Sequence, residues 1–328
     1  MTSALDKVGT DPTERLVGTA LHNVNYLTHI DDVRKLAYIE TPKVACTSIK
    51  KFMADQYVGG TFELQDIGDI HNRDISPLKR FRQLPPEQGR RIWGPEYLRF
   101  SFVRNPFSRL LSGYLDKLVT NEFERQFHLP MLGFEPGSRP TLVEFLERLA
   151  AMPNDERDIH FATQASLLMV DAVEYDFIGR FEGFKEDFLR LQHSHYGILY
   201  PSDAYESFGK HHASDANAKI ERYYGPREIE LVQDIYRSDF QLFGYSSDIT
   251  RACDRPSEVQ TERLRDSARA FSVNPDYEPD DLAVRLFRLF TMYQEANRDQ
   301  SVEDALPADS IARAFQRLTE RRESELVR

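Results

Sequence analysis

Residues 36–53, LAYIETPKVACTSIKKFM, decide how this chain folds. An apolar run of strand length passes into a tight turn carrying Lys43, and a helix follows. Cys46, Thr47 and Ser48 stand at the start of that helix. Unpaired backbone N–H groups and the positive end of the helix dipole make that position an anion seat. Two short hydroxyls and a lysine converging there point to a phosphate or sulfate group. The binding loop expected from this stretch is Pro42, Lys43, Val44, Ala45, Cys46, Thr47 and Ser48. It is not the ATP-type loop G-x-x-x-x-G-K-[ST], because Lys43 precedes the turn and no glycine lies between Gly18 and Gly59. Taken in isolation, the stretch also fits an ordinary strand–turn–helix junction capped by Thr or Ser.

A second stretch repeats the pattern. In YLRFSFVRNPFSRLLSGYLDKLV (97–119), LRFSFV has the continuous apolar end of a buried parallel strand. Asn105 then caps a helix with Pro106 at its first position. Leu110, Leu111, Tyr114, Leu115 and Leu118 recur at helical spacing, so the helix packs on the sheet. Two strand–loop–helix units imply an α/β layered domain with right-handed crossovers. Ligands of such sheets bind beyond the carboxyl ends of the strands, where the two loops meet. Arg104 directly follows the second strand, and Ser108 and Ser112 share one face of its helix. An arginine fork beside a hydroxyl is a second phosphate grip.

Composition limits what the ligand can be. The chain has 328 residues, 41% hydrophobic and 12% aromatic, enough for one large domain or two smaller ones. A net charge of −11 argues against general binding to nucleic acid or anionic membranes, so a polyanion needs a local basic pocket. Cys46 and Cys253 are the only cysteines, which implies no disulfide framework. The first 18 residues have no apolar core of the kind a secretion signal or membrane anchor needs. The expectation is a soluble, cytoplasmic protein.

Elsewhere the reading is coarser. VRKLAYIE (33–40) is the first strand, and Gly59-Gly60 ends the first helix. FELQDIGDIHN (62–72) is a short strand or irregular, and Ser76–Gly94 holds a short helix between loops. Residues 121–157 hold a Gly/Pro-bearing loop and a helix, TLVEFLERLAAM, whose Thr141 and Glu144 fit a capping box. YDFIGRF is a further strand, EGFKEDFLRLQ an amphipathic helix, and PREIELVQDIYRSDFQLF a helix ending at Gly244. After about Ser247 the pattern changes, and no lysine occurs beyond Lys219. Leu282, Leu286, Leu289, Phe290 and Tyr293 form one helix face, and Ile311, Phe315 and Leu318 another. The expected division is a catalytic domain over 1–248 and an α-helical extension over 249–328, which either docks on the domain or mediates oligomerisation.

With both grips in place, the chain resembles the sulfotransferases. TPKVACTSIK is similar to their 5′-phosphosulfate loop, and FVRNPFSRLLSGY to their 3′-phosphate segment. The likeness is strongest to the carbohydrate group containing the chondroitin and dermatan 4-O-sulfotransferases. EYDFIGRFE and IYRSDFQLFGY resemble that group's third block and C-terminal signature.

The resemblance implies a P-loop-like three-layer α/β fold with a central parallel sheet. It also implies the donor 3′-phosphoadenosine 5′-phosphosulfate (PAPS, leaving as PAP), no metal, and a hydroxyl of a carbohydrate or glycolipid as acceptor. On this basis Lys43 neutralises the leaving oxygen, Thr47 and Ser48 hold the 5′-phosphate, and Arg104 and Ser112 hold the 3′-phosphate. For the general base, His71 is the first candidate, because relatives place a His or Glu after the first helix; His160 is the second. Lys210, His211, His212 and Ser214 form a loop that could close over the nucleotide, and Arg109 either faces the nucleotide or pairs at the surface.

This chain is expected to depart from the animal enzymes in having no anchor, and it has no cysteines immediately ahead of YDFIG, where it reads ASLLMVDAVE. That favours a bacterial, cytoplasmic relative. Two other readings remain: a phosphoryl transferase, which predicts magnesium dependence, and a non-catalytic PAP-binding module.

Overall fold

A computed structural model describes residues 25–85, 88, 91–170, 173–193 and 216–272. Four strands form one sheet in the order β1 (Thr28–Asp31), β2 (Leu36–Ile39), β3 (Leu98–Val103) and β4 (Phe177–Arg180). β2, β3 and β4 are parallel, as the strand–loop–helix units require, with Tyr38 opposite Phe100 and Val103 opposite Arg180. β1 is an additional antiparallel edge strand on β2, which makes the sheet mixed. Its sequence, THID, gives no apolar signal because its buried Thr28, His29 and Asp31 are polar.

The helices follow in chain order. α1 (Cys46–Val58) comes after β2, and α2 (Pro106–Tyr114) after β3. Wider π-helical turns over Leu115–Thr120 extend α2 and lead to α3 (Glu122–Met131). α4 (Leu142–Ala151) and the single turn α5 (Gln164–Leu167) precede β4, and α6 (Phe184–Leu191) follows it. The remaining helices are α7 (Ala216–Tyr223), α8 (Pro226–Ile235), α9 (Arg237–Leu242) and α10 (Thr261–Ser272).

Alternation along the strands sends side chains into two cores, one on each face of the sheet. Leu36, Tyr38, Phe100 and Phe102 pack with Ile49, Phe52 and Met53 of α1 and Phe188 and Leu191 of α6. Ala37, Ile39 and Val103 face the other way, onto Phe107, Leu110 and Leu111 of α2 and the helices beyond it. The result is three layers, helices–sheet–helices.

Local chemistry sets the helix ends. The side chain of Asn105 accepts from the Phe107 amide at 3.0 Å, with Pro106 opening α2. Thr141 and Glu144 form the capping box of α4. Gly59, at φ 70°, closes α1.

Residues 62–72, read as a short strand or irregular, are irregular with one 3₁₀ turn, Ile67–His71. Two segments differ from the sequence reading. α3 covers residues 122–128, to which the sequence reading gives no element, and takes in the first three residues of the Gly/Pro loop LPMLGFEPGSRP (129–140), with Pro130 in its last turn. PREIELVQDIYRSDFQLF breaks into α8 and α9 at Tyr236.

The segment after residue 248 packs on the domain as far as it is described. Ala252 and Leu264 are buried in the core, and Arg180 donates to the Ser257 carbonyl at 2.7 Å. The helix faces expected around Leu282–Tyr293 and Ile311–Leu318 lie outside the described residues. No helix among the described residues is long and apolar enough to cross a membrane.

Candidate functional site

The loop between β2 and α1 curls without glycine because two ordinary residues take left-handed backbone. Lys43 has φ 69° and Ala45 φ 54°, with Val44 between them outside that region. Alternation of this kind turns successive N–H groups toward one point, an anion-binding nest. Left-handed backbone costs a non-glycine residue about 1–2 kcal/mol, so the surrounding structure must hold it. Two arginines do so. Arg109 is buried and donates to the carbonyls of Pro42 (3.1 Å), Ala162 (2.8 Å) and Ile159 (3.1 Å). It therefore neither faces a nucleotide nor pairs at the surface; it ties the loop to the segment before α5. Arg104 donates through Nη1 to the Lys43 carbonyl at 3.1 Å and through Nε to Ser108 Oγ at 2.9 Å.

Arg104 is itself clamped. Its backbone N–H and C=O pair with the Gln164 side chain, both at 2.8 Å, and its guanidinium lies over the Phe181 ring at 4.1 Å. The buried Asp239, within the IYRSDF segment, accepts from the amides of Gln164 (2.8 Å) and Ala165 (2.9 Å). The C-terminal signature thus acts at a distance, fixing Gln164, which fixes Arg104. Burial pulls the Arg104 guanidinium down to about 10, still a cation at neutral pH. Ser112 lies one turn past Ser108 on α2, on the same face.

Behind the loop runs a chain of buried polar groups. Arg73 contacts His29 Nδ1, and His29 Nε2 lies 2.7 Å from Glu40 Oε2. Glu40 accepts from Lys50 Nζ at 3.0 and 3.1 Å, and Lys50 Nζ lies 2.8 Å from His71 Nδ1. His71 Nε2 ends the chain at Thr47 Oγ1, 3.0 Å away.

Arginine and ammonium can only donate, so the tautomers follow. Both histidines accept at Nδ1 and carry their proton at Nε2. Burial, with Arg73 for His29 and Lys50 for His71, keeps both rings neutral, lowering His29 to about 3 and His71 to about 4. Thr47 therefore receives a hydrogen bond from His71 and has its own hydroxyl proton left to donate. The chain makes Thr47 a donor, which is what an anion needs.

On the open side of the loop, Lys43 Nζ donates to Asp116 Oδ2 at 3.1 Å, and Asp116 also meets Lys117 at 3.4 Å. Burial would raise the Asp116 carboxyl, but Lys43 and Lys117 outweigh it and lower it. His160 lies nearby, with Nδ1 2.5 Å from Asp158 Oδ1; that oxygen also accepts the His160 backbone N–H at 2.9 Å. Burial would raise the Asp158 carboxyl, but its two histidine neighbours hold it well below the usual range. Burial lowers the His160 imidazole, and the nearby charges of Lys117 and Lys43 add to this against the opposing pull of Asp158. His128 Nε2 stands 3.8 Å from the same carboxylate, with its Nδ1 on the Glu124 carbonyl at 2.8 Å.

The structure thus brings the 42–48 loop, Arg104, His71 and His160 to one end of the sheet. Lys210, His211, His212 and Ser214 lie outside the described residues. Sequence reading missed Glu40, Lys50, Asp116, Asp158 and Gln164. Only Asp158, two residues before a histidine, carries a local signal. Two groups bring three potential metal-ligand atoms within 4.8 Å: Glu40, Cys46 and His71, and His128, Asp158 and His160. In the first, both His71 nitrogens are engaged, and burial pushes the Cys46 thiol up to about 11. In the second, the 2.5 Å His160–Asp158 contact is a hydrogen bond.

Comparison with known proteins gives an independent reading. Residues 27–246 match the family described as "Sulfotransferase family". Carbohydrate sulfotransferase 9 of Homo sapiens is 25% identical over 263 residues, covering 70% of this chain and 57% of its own. Carbohydrate sulfotransferase 12 of Mus musculus is 26% identical over 260 residues, 68% of this chain and 61% of its own. Carbohydrate sulfotransferase 14 of Danio rerio is 29% identical over 180 residues, 51% of this chain and 48% of its own. The chain therefore spans roughly half to three fifths of these relatives' length. No solved structure matches it.

Proposed function

Because the chain belongs to the sulfotransferase family, we propose that it transfers the sulfuryl group of PAPS to a carbohydrate hydroxyl, as the names of its relatives suggest. The observation that carries this reading is the hydrogen bond from Arg104 to the Lys43 carbonyl, 3.1 Å. It makes two anion-binding segments, remote in sequence, into one basic site, and a donor phosphorylated at both 3′ and 5′ positions needs two such grips.

In this reading the nest at Lys43–Ala45, the first amides of α1 and the Thr47 hydroxyl receive the 5′-phosphosulfate. Arg104 and Ser112 receive the 3′-phosphate, which ordinary adenine nucleotides lack. The Lys43 ammonium leaves Asp116 for the oxygen bridging phosphate and sulfur and neutralises the charge that develops there. The acceptor oxygen attacks sulfur in line, and most of the rate comes from positioning and charge stabilisation. These residues supply the charge a metal would otherwise provide, so the reaction proceeds without one. The proposed location is the cytoplasm, the expectation for a chain with only two cysteines, Cys46 and Cys253.

Radiolabelled PAPS with desulfated chondroitin and dermatan as acceptors tests the proposal. Labelled polysaccharide is expected from the wild type, with or without EDTA, and none from Lys43→Ala. Arg104→Ala should weaken PAPS binding more than binding of adenosine 5′-phosphosulfate. Failure of PAP to bind would overturn the reading, and equal losses for the two nucleotides would remove Arg104 from the 3′-phosphate.

A further inference from the structure

We infer that the Asp158–His160 pair is the proton acceptor for the acceptor hydroxyl, with Asp158 the residue that positions it, and that His71 serves only to orient Thr47. The inference rests on the sulfotransferase reading above.

A neutral imidazole has one lone pair to offer. In His71 that lone pair is at Nδ1, where Lys50 donates at 2.8 Å, and Nε2–H is spent on Thr47. Taking a further proton would place an imidazolium against the buried Lys50 ammonium. His160 is wired the opposite way. Its Nδ1–H faces Asp158, a carboxylate that can only accept, so the lone pair is at Nε2 on the far side of the ring. Among the described residues Nε2 makes no hydrogen bond, and the side chain is 23% exposed.

Asp158 fixes this orientation twice, through the ring and through the His160 backbone N–H. The charged and titratable groups facing His160 are Asp158 from its own turn, His128 from α3, Lys117 from the π-helical turns, Lys43 from the donor loop, and His71. His160 thus lies within electrostatic reach of the lysine assigned to the leaving group, with its basic nitrogen making no hydrogen bond among the described residues.

The step balances as follows. The hydroxyl proton passes to His160 Nε2 as the acceptor oxygen bonds to sulfur. The bond from sulfur to the 5′-phosphate oxygen breaks, and its electron pair stays on that oxygen, facing Lys43. The imidazolium is held against the Asp158 carboxylate and gives its proton to solvent after the products leave.

Steady-state sulfation of desulfated chondroitin and calorimetric PAP binding, measured on the full chain, test this. His160→Ala should lower kcat by about 10²–10⁴-fold and leave PAP affinity within about threefold, with added imidazole restoring part of the rate. His160→Gln serves where the alanine variant does not fold. His71→Gln keeps one acceptor and one donor and should retain turnover within about tenfold. Asp158→Asn removes the charge that stabilises the imidazolium, so the acid limb of kcat/KM should move to lower pH while PAP affinity holds. The inference is overturned if His160 variants that bind PAP turn over like the wild type, if His71→Gln loses as much as His160→Ala, or if Asp158→Asn leaves the acid limb in place. A wild type that binds PAP and sulfates no acceptor overturns the underlying sulfotransferase reading instead.

Discussion

Replacing Lys50 by methionine removes the ammonium at the centre of the buried polar chain while nearly keeping its volume. Lys50 is 1% exposed, and Glu40, which it holds through two hydrogen bonds, is 2% exposed. The variant leaves the Glu40 carboxylate buried with only neutral donors, the His29 ring and the Cys46 thiol among them, and breaking a buried pair from one side costs about 3–5 kcal/mol. In a domain of this size each kcal/mol moves the melting temperature by roughly 2–4 °C, so Tm should fall by about 6–20 °C.

The same change strips the donor from His71 Nδ1 and frees that ring to turn, so Thr47 loses its orientation. A hydrogen bond to a charged group contributes about 1.5–3 kcal/mol, which corresponds to roughly ten- to a hundredfold in PAP affinity. Glu40→Gln in the same chain should recover most of the stability, because removing both charges leaves no unpaired ion while the glutamine still accepts from His29. The assay is urea unfolding of the wild type, both single variants and the double, with calorimetric PAP binding on each. A Lys50→Met protein within about 1 kcal/mol of wild type would refute the reasoning. So would a double variant whose loss equals the sum of the singles, since a coupled pair must depart from additivity.

Further outcomes follow from the same geometry. His29 and His71 bind protons in the unfolded chain near pH 6.5 but in the folded one only near pH 3 and pH 4. Their stabilisation is therefore complete above pH 6.5 and lost as pH falls toward those folded values. Near pH 5 unfolding stability should drop by up to about 2.7 kcal/mol per pH unit, two protons' worth; a flat profile from pH 6.5 to 4.5 would contradict the buried neutral rings. Asp116→Asn releases Lys43 from an ion pair whose side chains are 17% and 40% exposed. Such pairs are worth about 0–1 kcal/mol, so calorimetry should show PAPS binding tightened by up to about fivefold, and weakened binding would show that Asp116 helps to hold the donor. Gly179→Ala would put a Cβ 2.2 Å from the Phe102 ring in the core under α6. Thermal melting should show a loss of about 1–3 kcal/mol, and a neutral result would mean that β4 can shift away from β3.

The two strand–loop–helix units were legible in the sequence because each combines signals that act within a few residues. LAYI and LRFSFV are apolar runs, Asn105–Pro106 is a local start signal, and Gly59 a local stop. The α/β layering and its parallel strands followed from these. β1 was not legible because its buried residues are polar and are satisfied by partners far along the chain, such as His29 by Arg73 and Glu40. α3 was hidden by Pro130, which ends a pattern only when it falls in a helix interior.

The candidate site divides in the same way. Lys43, Thr47, Ser48, Arg104 and Ser112 stand out because an anion site needs donors at a helix start, and that grammar is local. The protonation pattern could not be read from sequence. His71 and His160 look alike there, each a histidine near an aspartate. What sets them apart is what reaches each ring in space: an ammonium at Nδ1 of one and a carboxylate at Nδ1 of the other. A cation forces that nitrogen to accept and an anion forces it to donate, so the two rings carry their lone pairs on opposite sides. The sequence by itself determined the layered fold and marked the 42–48 loop and Arg104 as candidate donors to an anion. The tertiary structure decided which groups give protons and which take them, because it alone sets the neighbours that choose between tautomers.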